Sequence, residues 1–190
     1  SAGSYILEVM DANGCDTFTT VNVIAPQTAL SGSPQIFGVS CYGDSTGMLV
    51  GNASGGWAPY TYEWLDMNGD TLQVTGPIAD KDTLFDLSAG SYILKIFDSE
   101  GCEVEYVLNV PEPAVALLST INLYQNVICF GDSTGVAYAD VIGGQPLYSY
   151  LWDNGETTQM ANGLWAGTHI VTITDDWGCE IVDSIDIINL

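Results

Sequence analysis

The sequence predicts an all-β chain built from tandem antiparallel β-sandwich repeats. Three observations carry that expectation. The phrase Cys41-Tyr-Gly-Asp-Ser-Thr-Gly47 returns as Cys129-Phe-Gly-Asp-Ser-Thr-Gly135. Apolar residues alternate at period two in one run after another, and Asn-Gly, Gly-Gly and Asp-x-x-Gly turns separate those runs. No stretch carries a helical apolar stripe, so short strands follow one another without helices, the pattern of a sandwich.

The repeat sets the boundaries. Gly55-Gly56, Tyr60, Tyr62 and Trp64 follow the first phrase, and Gly143-Gly144, Tyr148, Tyr150 and Trp152 follow the second, each pair 88 positions apart. A fixed period of this kind is self-similarity rather than composition bias. A second phrase occurs three times, ending at Cys15, Cys102 and Cys179, as in Ser88-Ala-Gly-Ser-Tyr92 running on to Asp98-Ser-Glu-Gly-Cys102. Residues 1–30 therefore read as the closing part of one repeat, 31–117 as a complete repeat and 118–190 as another. The chain is expected to be a piece of a longer array, whose stability combines unit cores with neighbour contacts.

Taken in order, the strands declare their inward faces. In Tyr60-Thr-Tyr-Glu-Trp64 the aromatics share one face, with Thr61 and Glu63 on the other, and Tyr148, Tyr150 and Trp152 repeat the arrangement. Leu94 and Ile96 fall on one face of the next strand, and Val104, Tyr106, Leu108 and Val110 on one face of the strand after it. Leu87-Ser-Ala-Gly-Ser-Tyr92 has the form of a tyrosine corner, in which a Tyr at the start of a late strand bonds back to the preceding turn. That detail narrows the class to immunoglobulin-like or fibronectin-like sandwiches. His169, the one histidine, takes the Tyr92 position in the last repeat and reads as its structural replacement.

Composition excludes several functions. The hydrophobic fraction of 47% suffices for packed cores despite a net charge of −22 from 24 acids and two lysines. Such a surface repels nucleic acid and anionic lipid, whose binding needs clustered cations, and no apolar run is long enough to span a bilayer. Self-repulsion of this size favours a saline setting or bound cations.

The five cysteines indicate an oxidising compartment. Pairing within repeats gives Cys41–Cys102 and Cys129–Cys179, with the partner of Cys15 outside the chain. Pairing between neighbours gives Cys15–Cys41 and Cys102–Cys129. A strand count that allows one strand between Trp152 and Trp165 places Cys129 and Cys179 at the same end, and so favours pairing within repeats. Closing such a loop contributes about 4 kcal/mol in the chain-entropy model.

Together these elements, Cys-aromatic-Gly-Asp-Ser-Thr-Gly, Gly-Gly, Tyr-x-Tyr-x-Trp, Ala-Gly-(Ser/Thr) and Asp-x-x-Gly-Cys, resemble the SprB-type repeat of very large cell-surface adhesins of Bacteroidota, some of them gliding-motility adhesins. The resemblance covers effectively the whole chain. One departure is the shift of Pro59-Tyr60 to Pro146-Leu147-Tyr148. What the resemblance implies is a secreted, repeat-built protein of the bacterial cell surface, exported by the type IX pathway, without a catalytic site. Its expected partners are neighbouring repeats of the same chain, identical chains in a filament, or surface glycans.

Candidate chemistry is sparse. The turn acids Asp44, Asp98, Glu100, Asp132, Asp175 and Asp176, with Asp66, Asp70 and Asp153, have the oxygen chemistry of a structural Ca²⁺ site, yet Asp-x-x-Gly is also ordinary turn chemistry. No cofactor is otherwise expected. A nucleophile–base pair lacks its parts, because the single His sits in a structural slot and the cysteines read as paired. Asp-(Ser/Thr)-apolar or -Thr matches the O-glycosylation pattern of secreted Bacteroidota proteins at Ser45, Thr71, Thr83, Ser133 and Ser184. Trp57, Trp165 and Trp177 lie in or beside turns, where they either cover a small core or offer a glycan-stacking surface.

Overall fold

The computed structural model of the protein describes residues 2–190; Ser1, the first residue of the expected opening half-repeat, lies outside the described residues. Those residues form seventeen strands and no helix. Strands β1 (Gly3–Met10) and β2 (Asp16–Val23) make an antiparallel ribbon. Between residues 31 and 110 come β3 (Ser31–Gly32), β4 (Gln35–Phe37), β5 (Gly47–Gly51), β6 (Ala53–Ser54), β7 (Tyr60–Asp66), β8 (Thr71–Ile78), β9 (Asp82–Leu87), β10 (Gly90–Phe97) and β11 (Glu103–Val110). They join in sheets of order β11-β10-β7-β8, β4-β5-β9 and β3-β6. The rest of the chain supplies β12 (Leu118–Gln125), β13 (Gly135–Ile142), β14 (Ser149–Trp152), β15 (Met160–Leu164), β16 (Gly167–Thr174) and β17 (Glu180–Ile187), in sheets β12-β13-β15 and β14-β16-β17. The fold is all-β, a tandem of antiparallel β-sandwich repeats.

By packing, the chain divides into two compact units. One comprises the chain through Pro34 with Gly51–Asp82 and Ile93–Tyr106, and the other Gln35–Val50, Thr83–Tyr92 and Val107–Leu190.

In the first unit the expected alternation holds. Tyr60, Tyr62 and Trp64 are buried while Thr61 and Glu63 between them are half-buried. Leu94 and Ile96 are likewise buried. A Cβ on Gly51 would come within 3.0 Å of the Tyr62 ring, so the absence of a side chain there makes room for the aromatic. The Trp64 indole Nε1–H donates to the buried Asp82 carboxylate at 2.7 Å, which also accepts from Gln73 Nε2 at 3.0 Å. A buried indole N–H without an acceptor would cost its desolvation, so Asp82 makes the Trp64 position tenable. The ribbon β1–β2 behaves differently. Tyr5, Leu7 and Val9 stand where β10 places Tyr92, Leu94 and Ile96, yet all three are exposed, because two strands alone present no second layer to bury against.

In the second unit, sheets β12-β13-β15 and β14-β16-β17 enclose one core. Trp152 lies among the small Ala137, Ala139 and Ala161 and the aliphatic Leu164, Val171 and Ile173. Its Nε1–H donates to the Thr158 carbonyl at 3.0 Å. Strand directions follow from the ladders. β17 runs toward the end where Val127 N–H donates to Ile188 O at 3.0 Å, the end holding Cys129. β16 is antiparallel to β17 and β14 to β16, while β15 is antiparallel to β13. Consequently β14 and β15 run the same way, the connection over residues 153–159 having carried the chain back.

Truncating the shared aromatic tests this core. Trp152→Ala is expected to cost about 3–5 kcal/mol in urea unfolding, whereas Val182→Ala, at a residue 67% exposed, stays within about 0.5 kcal/mol of the unaltered chain.

Candidate functional site

The repeated phrases converge on two kinds of turn, and the structure gives nearly every residue in them a mechanical task. In Asp98-Ser-Glu-Gly-Cys102, Gly101 takes φ +82°, which an L side chain resists. Asp98 Oδ1 accepts the N–H groups of Glu100 at 3.0 Å and Cys102 at 2.8 Å, and Oδ2 that of Trp57 at 3.1 Å. Asp175 does the same: Oδ1 accepts from Trp177 at 3.0 Å and Cys179 at 2.9 Å, and Oδ2 from Gln145 at 2.8 Å. One carboxylate thus closes its own hairpin and grips the Gly-Gly turn of another strand pair. Burial pushes both carboxyls up, but hydrogen bonds outweigh it, from Cys102, Trp57 and Glu100 at Asp98 and from Gln145, Cys179 and Trp177 at Asp175. Both are held below their ordinary value.

The Gly-Gly pair passes the grip on to a connecting segment. Gly56 N–H donates to Thr28 O at 2.9 Å, and Gly144 N–H to Val115 O at 3.0 Å. A Cβ on Gly55 or Gly143 would overlap the carbonyl of Ala29 or Ala116. Tyr60 OH donates to Gly55 O at 2.8 Å, as Tyr148 OH does to Gly143 O at 2.7 Å. This seam of Asp, Gly-Gly and connector is the feature the sequence reading missed. Pro26-Gln-Thr-Ala-Leu30 and Pro113-Ala-Val-Ala-Leu117 were its signal.

The Cys-x-Gly-Asp-Ser-Thr-Gly loops are equally structural. Asp44 N–H donates to Cys41 O at 3.1 Å across Gly43 at φ +81°, and Asp132 N–H to Cys129 O at 3.0 Å across Gly131 at φ +88°. The Thr46 hydroxyl accepts Ser40 N–H at 2.9 Å, and that of Thr134 accepts Ile128 N–H at 3.0 Å. The closing glycine is required by crowding: a Cβ on Gly47 would meet Leu87 O at 2.7 Å, and one on Gly135 would meet Leu164 O at 2.8 Å.

The cysteines correct the expected pairing. Cys41 is bonded to Cys179 with a Cα–Cα distance of 5.6 Å, while Cys15, Cys102 and Cys129 are exposed thiols. Neither Cys41–Cys102 nor Cys129–Cys179 forms. The strand count failed at residues 153–159: because β14 and β15 run the same way, β16 delivers Cys179 to the end of its sandwich opposite Cys129. Asp98 beside it, with burial, pushes the Cys102 thiol up from its ordinary value, the opposite of an activated nucleophile.

The remaining candidates scatter. Asp44, Glu100, Asp132 and Asp176 are exposed while Asp98 and Asp175 are buried. Among the described residues, no three His, Cys, Asp or Glu side chains are placed to hold a metal. Ser45, Thr71, Ser133 and Ser184 are exposed and Thr83 is half-buried; the Ser45 hydroxyl lies 2.8 Å from that of Ser88. Tyr92 OH donates to Ser88 O at 2.9 Å, the expected corner. His169 replaces it, fully buried, with Nε2 3.0 Å from Trp165 O and Nδ1 2.8 Å from Asp153 Oδ1. Trp57 is half-buried, and Trp165 and Trp177 are about half exposed, at 46% and 51%.

The SprB repeat family model matches residues 38–69 and 124–157 of the chain. No curated protein matches it. Among solved structures, it is similar to the two-domain DIP-gamma IG1+IG2 at 11% identity, covering 82% of this chain and 97% of that one with a TM-score of 0.38. It is also similar to the fibronectin(III)-like modules of Clostridium thermocellum CbhA, at 15% identity, 83% and 95% coverage and a TM-score of 0.34. A third is a tetra-tandem repeat in the extending region of a large adhesion protein, at 17% identity, 96% and 55% coverage and a TM-score of 0.31.

The carboxylate of the seam makes a pH prediction. A pKa lowered in the folded state stabilises above the unfolded value near about 4, and that contribution fades as pH falls through the folded value. Asp175→Asn should therefore lower the Tm most above pH ~4, and the gap from the unaltered chain should narrow below it; a gap independent of pH would contradict the assignment.

Proposed function

We propose that this chain is a non-enzymatic repeat region of a secreted cell-surface adhesin, serving as an extended stalk or surface filament that holds a partner-binding region away from the cell. On this reading 31–117 and 118–190 are complete repeats and 1–30 closes a preceding one. The observation that supports it most is the use of the repeated phrases: their Asp, Thr and Gly residues close turns, bond backbone or fit close contacts, and their cysteines supply a bond between two copies. A repeat whose recurring residues are committed to its own architecture copies a shape rather than a reaction. The family match supports the surface setting, and the disulfide accords with an extracellular location. Gliding motility and type IX export remain part of the same proposal.

The bond also suits a mechanical role. Tension applied at the chain ends enters at Cys41, crosses to Cys179 and bypasses the residues between them. Pulling single chains should then yield about 480 Å more extension with reductant than without, the length of the bridged 138-residue separation. As a stalk, the chain should give no specific signal on a glycan array. A reproducible hit abolished by Trp177→Ala would instead favour a glycan-binding module.

A further inference from the structure

The bonded pair has unpaired counterparts, and they go beyond the adhesin reading. Cys41 belongs to a Cys-x-Gly-Asp-Ser-Thr-Gly loop and Cys179 to an Asp-x-x-Gly-Cys turn. The three thiols are of the same two kinds: Cys129 sits in the loop, and Cys15 and Cys102 in the turn.

Within the second unit the reason Cys41 and Cys179 meet is visible. The Cys41 loop is fixed to the start of the connector, by Val39 N–H donating to Pro111 O at 2.8 Å and Gly43 N–H to Glu112 Oε2 at 3.0 Å. The connector's far end, at Val115, docks on the Gly144 N–H beside Asp175. A short connector thus holds loop and turn at one place.

Each half of this joint recurs. In the first unit, Cys102 N–H donates to Asp98 at 2.8 Å, Asp98 grips Trp57 N–H, and Gly56 N–H takes Thr28 O of the connector Pro26–Leu30. That is the Cys179 environment, with a thiol in place of the bond. In the second unit, Val127 N–H donates to Ile188 O at 3.0 Å as Val39 does to Pro111, so the Cys129 loop is docked on the strand-end segment as the Cys41 loop is.

We propose that Cys129 and Cys102 are the two open halves of a recurring joint. Cys129 closes a disulfide with an Asp-x-x-Gly-Cys cysteine of another SprB repeat, and Cys102 with a loop cysteine of another, the two never being joined to each other within one chain. The chemistry is thiol–disulfide exchange with a disulfide oxidant, a small-molecule or oxidoreductase disulfide. One thiolate attacks the oxidant to form a mixed disulfide; the second attacks the protein sulfur, forming the joint. The oxidant leaves as two thiols, having taken up both electrons and both protons. The other repeat belongs either to the same polypeptide or to a second copy of this chain.

The test is disulfide mapping of the protein taken from its native cell surface, alkylated without reduction. The expected result is Cys41 joined to Cys179, the Cys129 peptide joined to an Asp-x-x-Gly-Cys peptide, and the Cys102 peptide joined to a loop-cysteine peptide. A partner with the mass of the Cys15 or Cys102 peptide, in a species that runs as an oligomer without reductant, identifies a second copy; a partner of different sequence identifies a further repeat. In a Cys129→Ser variant only the Cys129 cross-link should vanish, with Cys41–Cys179 retained. Alkylated Cys129, a bond between two loop cysteines, or a Cys102–Cys129 bond in a monomeric chain would overturn the proposal.

Discussion

The architecture depends on one carboxylate per junction. Asp98 and Asp175 each sit where a hairpin, a Gly-Gly turn and a connecting segment meet, and each accepts three backbone N–H groups from two of those elements. Hydrogen bonds to an ionised acceptor are roughly twice as strong as neutral ones. The geometry also explains why the partner must be Gly-Gly. The carboxylate approaches so closely that a Cβ on Gly56 would stand 2.7 Å from Asp98 Oδ2, while its neighbour must let a connector carbonyl come into contact. Remove the side-chain freedom of either glycine and the three elements cannot share one point.

That arrangement bears on the charge. A chain with a net −22 carries far more carboxylates than its two lysines can neutralise. Lys95 serves two of them, Glu103 at 3.1 Å and Glu105 at 3.4 Å, and exposed pairs of this kind contribute little. The buried acids instead take their compensation from dipoles: backbone N–H groups for Asp98 and Asp175, and side-chain N–H groups of Trp64 and Gln73 for Asp82. Neutral donors solvate these carboxylates internally, so the acids that shape the turns do not rely on cations in the sequence. The exposed acids keep their mutual repulsion, which salt screens.

What could be read from the sequence was local. Tyr62, Trp64, Leu94 and Ile96 announced their burial by alternation. Ser88 and Tyr92 announced a corner by spacing, and Gly56 and Gly101 announced turns by residue type. His169 was legible as a stand-in for Tyr92 because only its position mattered: like the tyrosine hydroxyl, its Nε2 reaches the carbonyl four residues earlier. The seam was harder to see. Nothing in Asp98 distinguishes an Asx turn closed on itself from one that also reaches Trp57, since the second contact spans 41 residues, and only the folded sheet decides it. The region after Trp64 likewise holds two strands before the corner, β8 and β9, where the region after Trp152 holds only β15.

The disulfide shows the same limit most sharply. In the chain-entropy model, bridging the observed separation of 138 residues contributes about 5 kcal/mol and bridging Cys41 to Cys102 about 4. The logarithm flattens the difference, so loop length could not choose between the pairings. Strand direction could, and direction turned on one connection. Had residues 153–159 formed a simple hairpin, β15 would have opposed β14, and β16 would have returned Cys179 to the Cys129 end. Instead β14 stops after four residues and the chain doubles back, with Asn154 Nδ2 donating to Asn162 O at 2.9 Å across the turn. A parity change in seven residues thus moves a cysteine the whole length of a strand and exchanges the expected Cys129–Cys179 pairing for Cys41–Cys179.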